Sequence, residues 1–321
     1  MRFLTSLVLA CTALLSLAAA ATAESIRIGT TPTTFDAPLL LAKQKGFVEE
    51  ELRKAGRAST TIEWVSFQAG PPMNEALAAG QIDIVAYGDT PALIGRSAGL
   101  QTRAVGIASS GWNSVSLLVR SDSPIHSVAE LKGKKVATQK GTTIHQFLIT
   151  ALAEAGIGAQ DFDFVNLPMG DLGNVLVKGD VDASAVGEPI LTALEQRGGV
   201  RLLRDGKGAK NSIVPFVVRE AYASGHRAEI GAVLRADRRA AAFLAENRDQ
   251  AIGILKAEIN QPVAVIAGSV AKFDYDPALR PEYLPELKKT EAFLRSQGLT
   301  RAAVDVEAFL DDGFASELTT R

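Results

Sequence analysis

The chain has 321 residues, one cysteine, and 36 acidic against 34 basic side chains, for a formal net charge of −2. A charge so nearly balanced and so mixed along the chain, without a basic stripe, argues against nucleic acid as a partner. A single cysteine rules out a disulfide framework, and the length is enough for two compact domains.

Met1 and Arg2 form a short positive start, and residues 3–20 are apolar apart from a few Ser and Thr. Ala21-Thr22-Ala23 fits the small-x-small cleavage rule, so a secretory leader cut before Glu24 is expected. The run ends in small alanines and no positive stop-transfer cluster follows, which disfavours a membrane anchor. The run continues past Cys11, which disfavours a lipoprotein. With the leader removed, the chain holds no cysteine.

Alternation then predicts a strand over 25–29. Leu40, Leu41, Phe47, Val48 and Leu52 have helical spacing over 37–54. Further strands are expected over 61–67, 82–86 and 102–107, with helices over 71–79 and 91–98 closed by Gly80 and Gly99. The order begins again with strands over 135–138, 162–167 and 181–186 and helices over 144–155, 172–178 and 189–196. A strand over 213–219 leads into an almost wholly helical remainder: 228–247, 248–259, 262–271, 281–297 and 306–314. Strand–helix alternation of this kind gives βα units.

The repetition is written in the residues. GQIDIVAYGD at 80–89 and GDVDASAVGE at 179–188 share one phrase: Gly, any, branched apolar, Asp, two free positions, Ala, any, Gly, acid. A proline follows each, Pro91 and Pro189. Two αβ lobes of like topology are therefore expected: 24–112 as the first part of lobe 1, 113–214 as lobe 2, and 215–321 as a return to lobe 1. Asp83 and Asp182, inside the phrase, are expected to cap or end strands.

The loops between strands and helices are rich in Gly, Thr and Pro: TTPTT at 30–34, QAGPP at 68–72, GDTP at 88–91, KGTT at 140–143, DLG at 171–173 and GEP at 187–189. Proline in the first helical turn leaves a helix start open, and threonine can cap it. Such starts present unpaired N–H groups and the positive end of the helix dipole, which together bind an anion without Lys or Arg. In open αβ sheets ligands gather beyond the carboxyl ends of the strands, so these loops would share one cleft. KGTT lacks the order of a phosphate loop. His145, in the first turn after KGTT, is a candidate ligand donor, whereas His126 and His226 sit in polar contexts. No metal-ligand spacing appears, and no nucleophile–base pair can be assembled from spacing. Trp112 falls at the lobe crossing, where it could stack on a ligand or pack in the hinge.

Three stretches carry a resemblance to a known family: FQAGPPMNEALAAGQIDIVAYGDTPALIGRSAG at 67–99, LKGKKVATQKGTTIHQFLITALAEAGI at 131–157 and VDASAVGEP at 181–189. The ending GLTRAAVDVEAFLDDGF adds to it. The chain resembles the periplasmic solute-binding proteins of ABC importers for aliphatic sulfonates, nitrate and taurine. The resemblance implies the type II two-lobed fold, each lobe a mixed sheet flanked by helices, with the ligand in a cleft between lobes. It implies a periplasmic, monomeric protein that carries a small organic anion to a membrane permease, with no cofactor, metal or catalytic residue. Carried onto this sequence, the anion would meet Gly70, Thr90, Thr142, Thr143 and His145, with Thr31 and Thr34 of the TTPTT loop closing one side. The family usually has an aromatic residue where this chain has Gly187, which suggests more room for the ligand's tail. Glu188 beside it could repel a second charge, pair with a ligand amine or cap its own helix. An enzyme on the same fold, similar to thiamine-pyrimidine synthases, is the alternative of another class, but it would call for a His- and Cys-rich site. The effector domain of a transcription regulator would need a DNA-binding helix pair where the leader stands.

Overall fold

The computed structural model describes residues 24–314 and 317–318. The leader and its expected cleavage point lie outside the described residues. Strands β1 (Ser25–Thr30), β2 (Thr61–Ser66), β3 (Ile84–Ala86) and β4 (Thr102–Gly111) come first, followed by β5 (Val115–Arg120), β6 (Lys135–Thr138), β7 (Asp163–Asn166), β8 (Ala183–Gly187), β9 (Val200–Asp205) and β10 (Ser212–Arg219). They build two five-stranded sheets, ordered β2-β1-β3-β10-β4 and β7-β6-β8-β5-β9. In each, the first three strands are parallel and the fourth runs antiparallel to its neighbours. The chain leaves the first sheet after Gly111, enters the second at Val115, and returns between Asp205 and Ser212. Two crossings therefore join the lobes.

The repeated phrase has the same job in both sheets. Asp83 Oδ2 accepts the N–H of Arg27 at 3.0 Å, and Asp182 Oδ2 accepts the N–H of Lys135 at 2.9 Å. Each aspartate's own N–H donates back to the carbonyl of that residue. The acid thus clamps the third parallel strand to the first where backbone pairing begins. Asp83 is also gripped by the Arg27 and Arg219 side chains. Burial acts to raise its pKa, but these bonds hold the carboxyl below its usual range.

Two strands escape the sequence pattern. β5 is a central strand whose Val115, Leu117, Leu118 and Val119 are all buried, so it has no two-residue period to find. β9 is an edge strand carrying Arg201, Arg204 and Asp205. The expected helix over 37–54 is two helices, Ala37–Lys45 and Phe47–Lys54, parted by Gly46 in the left-handed conformation (φ 66°). Phe47 and Val48 stay buried, so the apolar spacing runs on across the break.

The C-terminal helices cover the first sheet. The helix Arg227–Glu246 lays Ile230, Val233 and Leu234 against Leu39, Leu40, Leu41, Val48 and Leu52 in one apolar core. The second lobe has its own core around Val115, Leu117, Val136, Phe147 and Leu152. Among the described residues, no helix is long and apolar enough to cross a membrane.

Candidate functional site

Three helices begin at one cavity between the sheets. Gly70–Ala78 follows β2 and Asp89–Ser97 follows β3 in the first lobe, and Thr143–Glu154 follows β6 in the second. Their starts, at Gly70, Gly88, Pro91, Thr142 and Thr143, line a cavity of about 70 Å³. The loop after β1 contributes Thr31, Thr33, Phe35 and Asp36; Gln68, Tyr87, Ile144, Met169, Ser212 and Val214 also line it. Among the described residues lining it there is no lysine, arginine or histidine. Helix N-termini, hydroxyls, amide groups and the Asp36 carboxylate therefore supply the polar surface, and the three helix starts are the part of it that favours negative charge. The aromatic and aliphatic members suit an apolar tail.

Close packing at two glycines sets this geometry. A Cβ at Gly70 would lie 2.5 Å from Pro91 Cγ and 3.1 Å from Tyr87 Cδ2, so only glycine lets that helix start reach the wall. A Cβ at Gly88 would fall onto Thr143 Oγ1 of the opposite lobe. Tyr87 donates to Asn74 Oδ1 at 2.8 Å, and Asn74 Nδ2 donates to the Pro91 carbonyl at 2.8 Å, pinning the two first-lobe helices together. Burial raises the Tyr87 pKa, so the phenol keeps its proton.

Beside the cavity lies a buried polar knot that spans both lobes and a crossing. Asp89 is fully buried; its Oδ1 accepts the Thr90 N–H at 2.8 Å and its Oδ2 accepts the Thr290 hydroxyl at 2.9 Å. Lys210, in the second crossing, forms an ion pair with the same carboxylate and donates to Thr290 Oγ1 at 2.9 Å. From the second lobe, Gln146 Oε1 accepts the Thr90 hydroxyl at 2.5 Å, and the Thr143 hydroxyl reaches Asp89 Oδ1 at 3.5 Å. A second link uses Lys272, whose ammonium sits 2.7 Å from Glu188 and 2.8 Å from Glu195.

Four of the eight expected site residues line the cavity: Thr31, Gly70, Thr142 and Thr143. The other four do not. Thr34 is buried with its hydroxyl bonded to Ser269. Thr90 is committed to Gln146. His145 lies behind Thr142, with its ring 5.2 Å from Phe164 and its Nδ1 accepting from the Gly141 N–H at 3.4 Å. Burial and the charge of Lys140 push its pKa down to about 4, so the ring is neutral at physiological pH. Glu188 is fully buried, accepting from the Thr192 hydroxyl at 3.0 Å within its own helix and from Lys272. A helix-capping carboxylate already paired with a lysine has no need of a ligand amine.

The space opposite Gly187 is also occupied. A Cβ there would lie 2.7 Å from Ile144 Cδ1 and 3.5 Å from Phe35 Cζ, both cavity residues. The missing aromatic is replaced by these side chains, and the expected extra room is not open. Trp112 borders a separate groove with Ser110, Asn211 and Lys272. Asp36 was not foreseen at all. It stands two residues beyond TTPTT, and nothing in its spacing separates it from a helix cap. Val214 falls on the strand expected over 213–219 and Ser212 just before it, but periodicity does not say which end of a strand meets a cleft.

Comparison with known proteins agrees with this architecture. A model of the NMT1-like family matches residues 19–256. An Escherichia coli (strain K12) protein named as an aliphatic sulfonates-binding protein is 34% identical over 252 residues, covering 78% of this chain and 77% of that one. The solved structure of the periplasmic aliphatic sulphonate binding protein SsuA from Escherichia coli superposes with a TM-score of 0.79 at 31% identity, over 88% of this chain and 91% of that one. The alkanesulfonate-binding protein SsuA from Xanthomonas axonopodis pv. citri, bound to MOPS, does so with a TM-score of 0.79 at 29% identity, over 89% and 98%. The chain belongs to the NMT1-like family and has the two-lobed fold of the periplasmic solute-binding proteins within it.

Proposed function

We propose that the chain, after loss of its leader, captures a small organic anion in the periplasm and delivers it to the membrane permease of an ABC importer. The ligand is an aliphatic sulfonate, held by its head at the three helix starts with its tail against Phe35, Ile144 and Val214. One observation carries this reading: helix N-termini from both lobes open onto a cavity whose lining includes no basic side chain. The relatives named above are binding proteins, and the two solved ones are named as sulphonate- and alkanesulfonate-binding proteins. Each partly buried helix start contributes up to ~2 kcal/mol toward an anion. Three starts plus hydrogen bonds to a charged head, about 1.5–3 kcal/mol each, reach the roughly 8 kcal/mol of micromolar binding. A head gripped from both sides gains most when the lobes are together, so binding and closure are one event.

A thermal-shift screen of the purified chain against 1-propanesulfonate, sulfate, nitrate and benzoate tests the reading. At about 100 times Kd the sulfonate adds roughly 2.7 kcal/mol of stability. Stabilisation by nitrate or benzoate with none from the sulfonate would move the ligand class elsewhere.

A further inference from the structure

We propose that Phe273, which is not among the residues lining the cavity, sets how long a ligand tail the cleft accepts, by holding the ring of Phe35 in the wall that meets the tail. The inference rests on the cleft being the sulfonate site. The cavity, about 70 Å³, is far below the roughly 300–1,000 Å³ of a pocket for a drug-sized ligand, so a head group with a short tail suits it. One wall is closed from both lobes. Phe35, in the loop after β1, and Ile144, in the helix Thr143–Glu154, both line the cavity and both reach the backbone at Gly187. A Cβ at Gly187 would lie 3.5 Å from Phe35 Cζ and 2.7 Å from Ile144 Cδ1. A tail lengthened toward Gly187 therefore meets these two side chains.

Phe35 is half-buried and is backed by the segment 272–275. Its ring meets that of Phe273 edge-on, with centroids 5.0 Å apart and planes at 62°. Such a pair has a preferred geometry and favours one rotamer of Phe35. Phe273 is itself held by its neighbours. Ser110, near the end of β4, and Asp274 exchange two backbone hydrogen bonds, at 2.9 and 2.8 Å. A Cβ at Gly111 would lie 2.5 Å from the Lys272 carbonyl and 3.2 Å from Phe273 Cδ1, so the segment lies against the start of the first crossing. Tyr275 donates its hydroxyl to the Thr34 carbonyl at 2.6 Å, tying the segment to the residue before Phe35. Lys272 reaches the second lobe at Glu188 and Glu195. Four consecutive residues thus join the crossing, the cleft loop and the opposite lobe, and Phe273 bears on a side chain of the cavity wall. With its ring removed, Phe35 can turn into the space left behind, and the wall opens.

The test compares 1-propanesulfonate with 1-octanesulfonate by titration calorimetry. A tail lying in an open groove would gain about fourfold in affinity per buried methylene, so a cleft without a stop favours the longer compound. The wild type is expected to favour the shorter one by at least about tenfold. In Phe273→Ala that ratio is expected to fall by about tenfold or more, through tighter binding of 1-octanesulfonate, with the affinity for 1-propanesulfonate within about threefold of wild type. Phe273→Tyr, which keeps the ring, should keep the wild-type ratio. Phe35→Ala should shift the ratio in the same direction, and adding Phe273→Ala to it should change the ratio no further, because Phe273 acts through Phe35. Should Phe273→Ala not fold, by circular dichroism and melting, Phe273→Leu carries the same test. Equal or tighter binding of 1-octanesulfonate to the wild type overturns this inference and leaves the proposed function standing. An unchanged ratio in a folded Phe273→Ala, or an equal loss of both compounds, overturns the role of Phe273. Binding of no sulfonate by the wild type removes the proposed function and this inference with it.

Discussion

Replacing Gly88 by alanine should disable closure without harming the fold. Gly88 sits at the start of the helix Asp89–Ser97 in the first lobe, where a new methyl would be driven into Thr143 Oγ1 of the second. Its other neighbours are at ordinary contact, Thr143 Cβ at 3.4 Å and Pro91 Cδ at 3.5 Å. The backbone at Gly88 has φ −54°, which alanine accepts, so no strain arises within the lobe itself. Thr143 can yield only by turning its hydroxyl away from Asp89 and from the cavity. Overpacking of this kind costs about 1–3 kcal/mol. Because the clash exists only when the lobes meet, the whole cost falls on the closed state. Affinity for 1-propanesulfonate should drop by about 5- to 150-fold, while melting without ligand should be nearly unchanged. Titration calorimetry beside small-angle scattering checks both parts. If Gly88→Ala binds as tightly as the wild type and contracts as much with ligand, the lobes do not close across Gly88 and Thr143.

Lys210→Met leaves the buried Asp89 carboxylate without its cation and should cost about 3–5 kcal/mol in urea unfolding, with the double variant Lys210→Met/Asp89→Asn losing less than the single one. Thr142→Val should lower the melting point as well as the affinity: Oγ1 caps its own helix by accepting the His145 N–H at 3.2 Å, a contribution of about 1 kcal/mol. Asp36 should leave a mark on stability as a function of pH. Its carboxyl is raised to about 7 in the fold, so between about pH 4 and 7 the folded chain holds a proton that the unfolded chain has released. Stability from this group therefore falls as pH rises through that window, by up to about 1.4 kcal/mol per unit. Asp237, raised in the same direction, adds to the slope. Asp36→Asn should flatten the profile, gaining on the wild type at pH 8 relative to pH 5 in parallel melts; an unchanged slope would mean that Asp36 is already paired and ionised.

Much of the fold can be read from the sequence because it is written twice. Asp83 and Asp182 stand at the same place in both phrases and make the same bond to the backbone of the first strand in each sheet. Two strands of the second sheet are harder to see. β5 is buried on both faces and β9 lies at an edge, so neither alternates cleanly. Four of the six expected cleft loops were legible, since Gly, Thr and Pro mark open helix starts and Thr31, Gly70, Gly88 and Thr142 do line the cavity, whereas no residue of 171–173 or 187–189 does. Which hydroxyls face the cavity was not legible. Thr33 and Thr34 are neighbours, yet one lines the cavity and the other bonds Ser269 from the far C-terminal half. Thr90 turns to Gln146, and Glu188 to Lys272, for the same reason: the partner arrives from a distant segment and only the folded chain brings it there. Asp36 was hidden because a carboxylate is not expected in the wall of an anion site.

The central claim, capture of a sulfonate between two closing lobes, is tested most directly by small-angle scattering of the leader-free chain, titrated with 2-aminoethanesulfonate and with 1-propanesulfonate. A smaller radius of gyration that saturates at one ligand per chain, and that is lost in Gly88→Ala, is the expected result. A profile that stays unchanged at saturating concentrations of both compounds would contradict it.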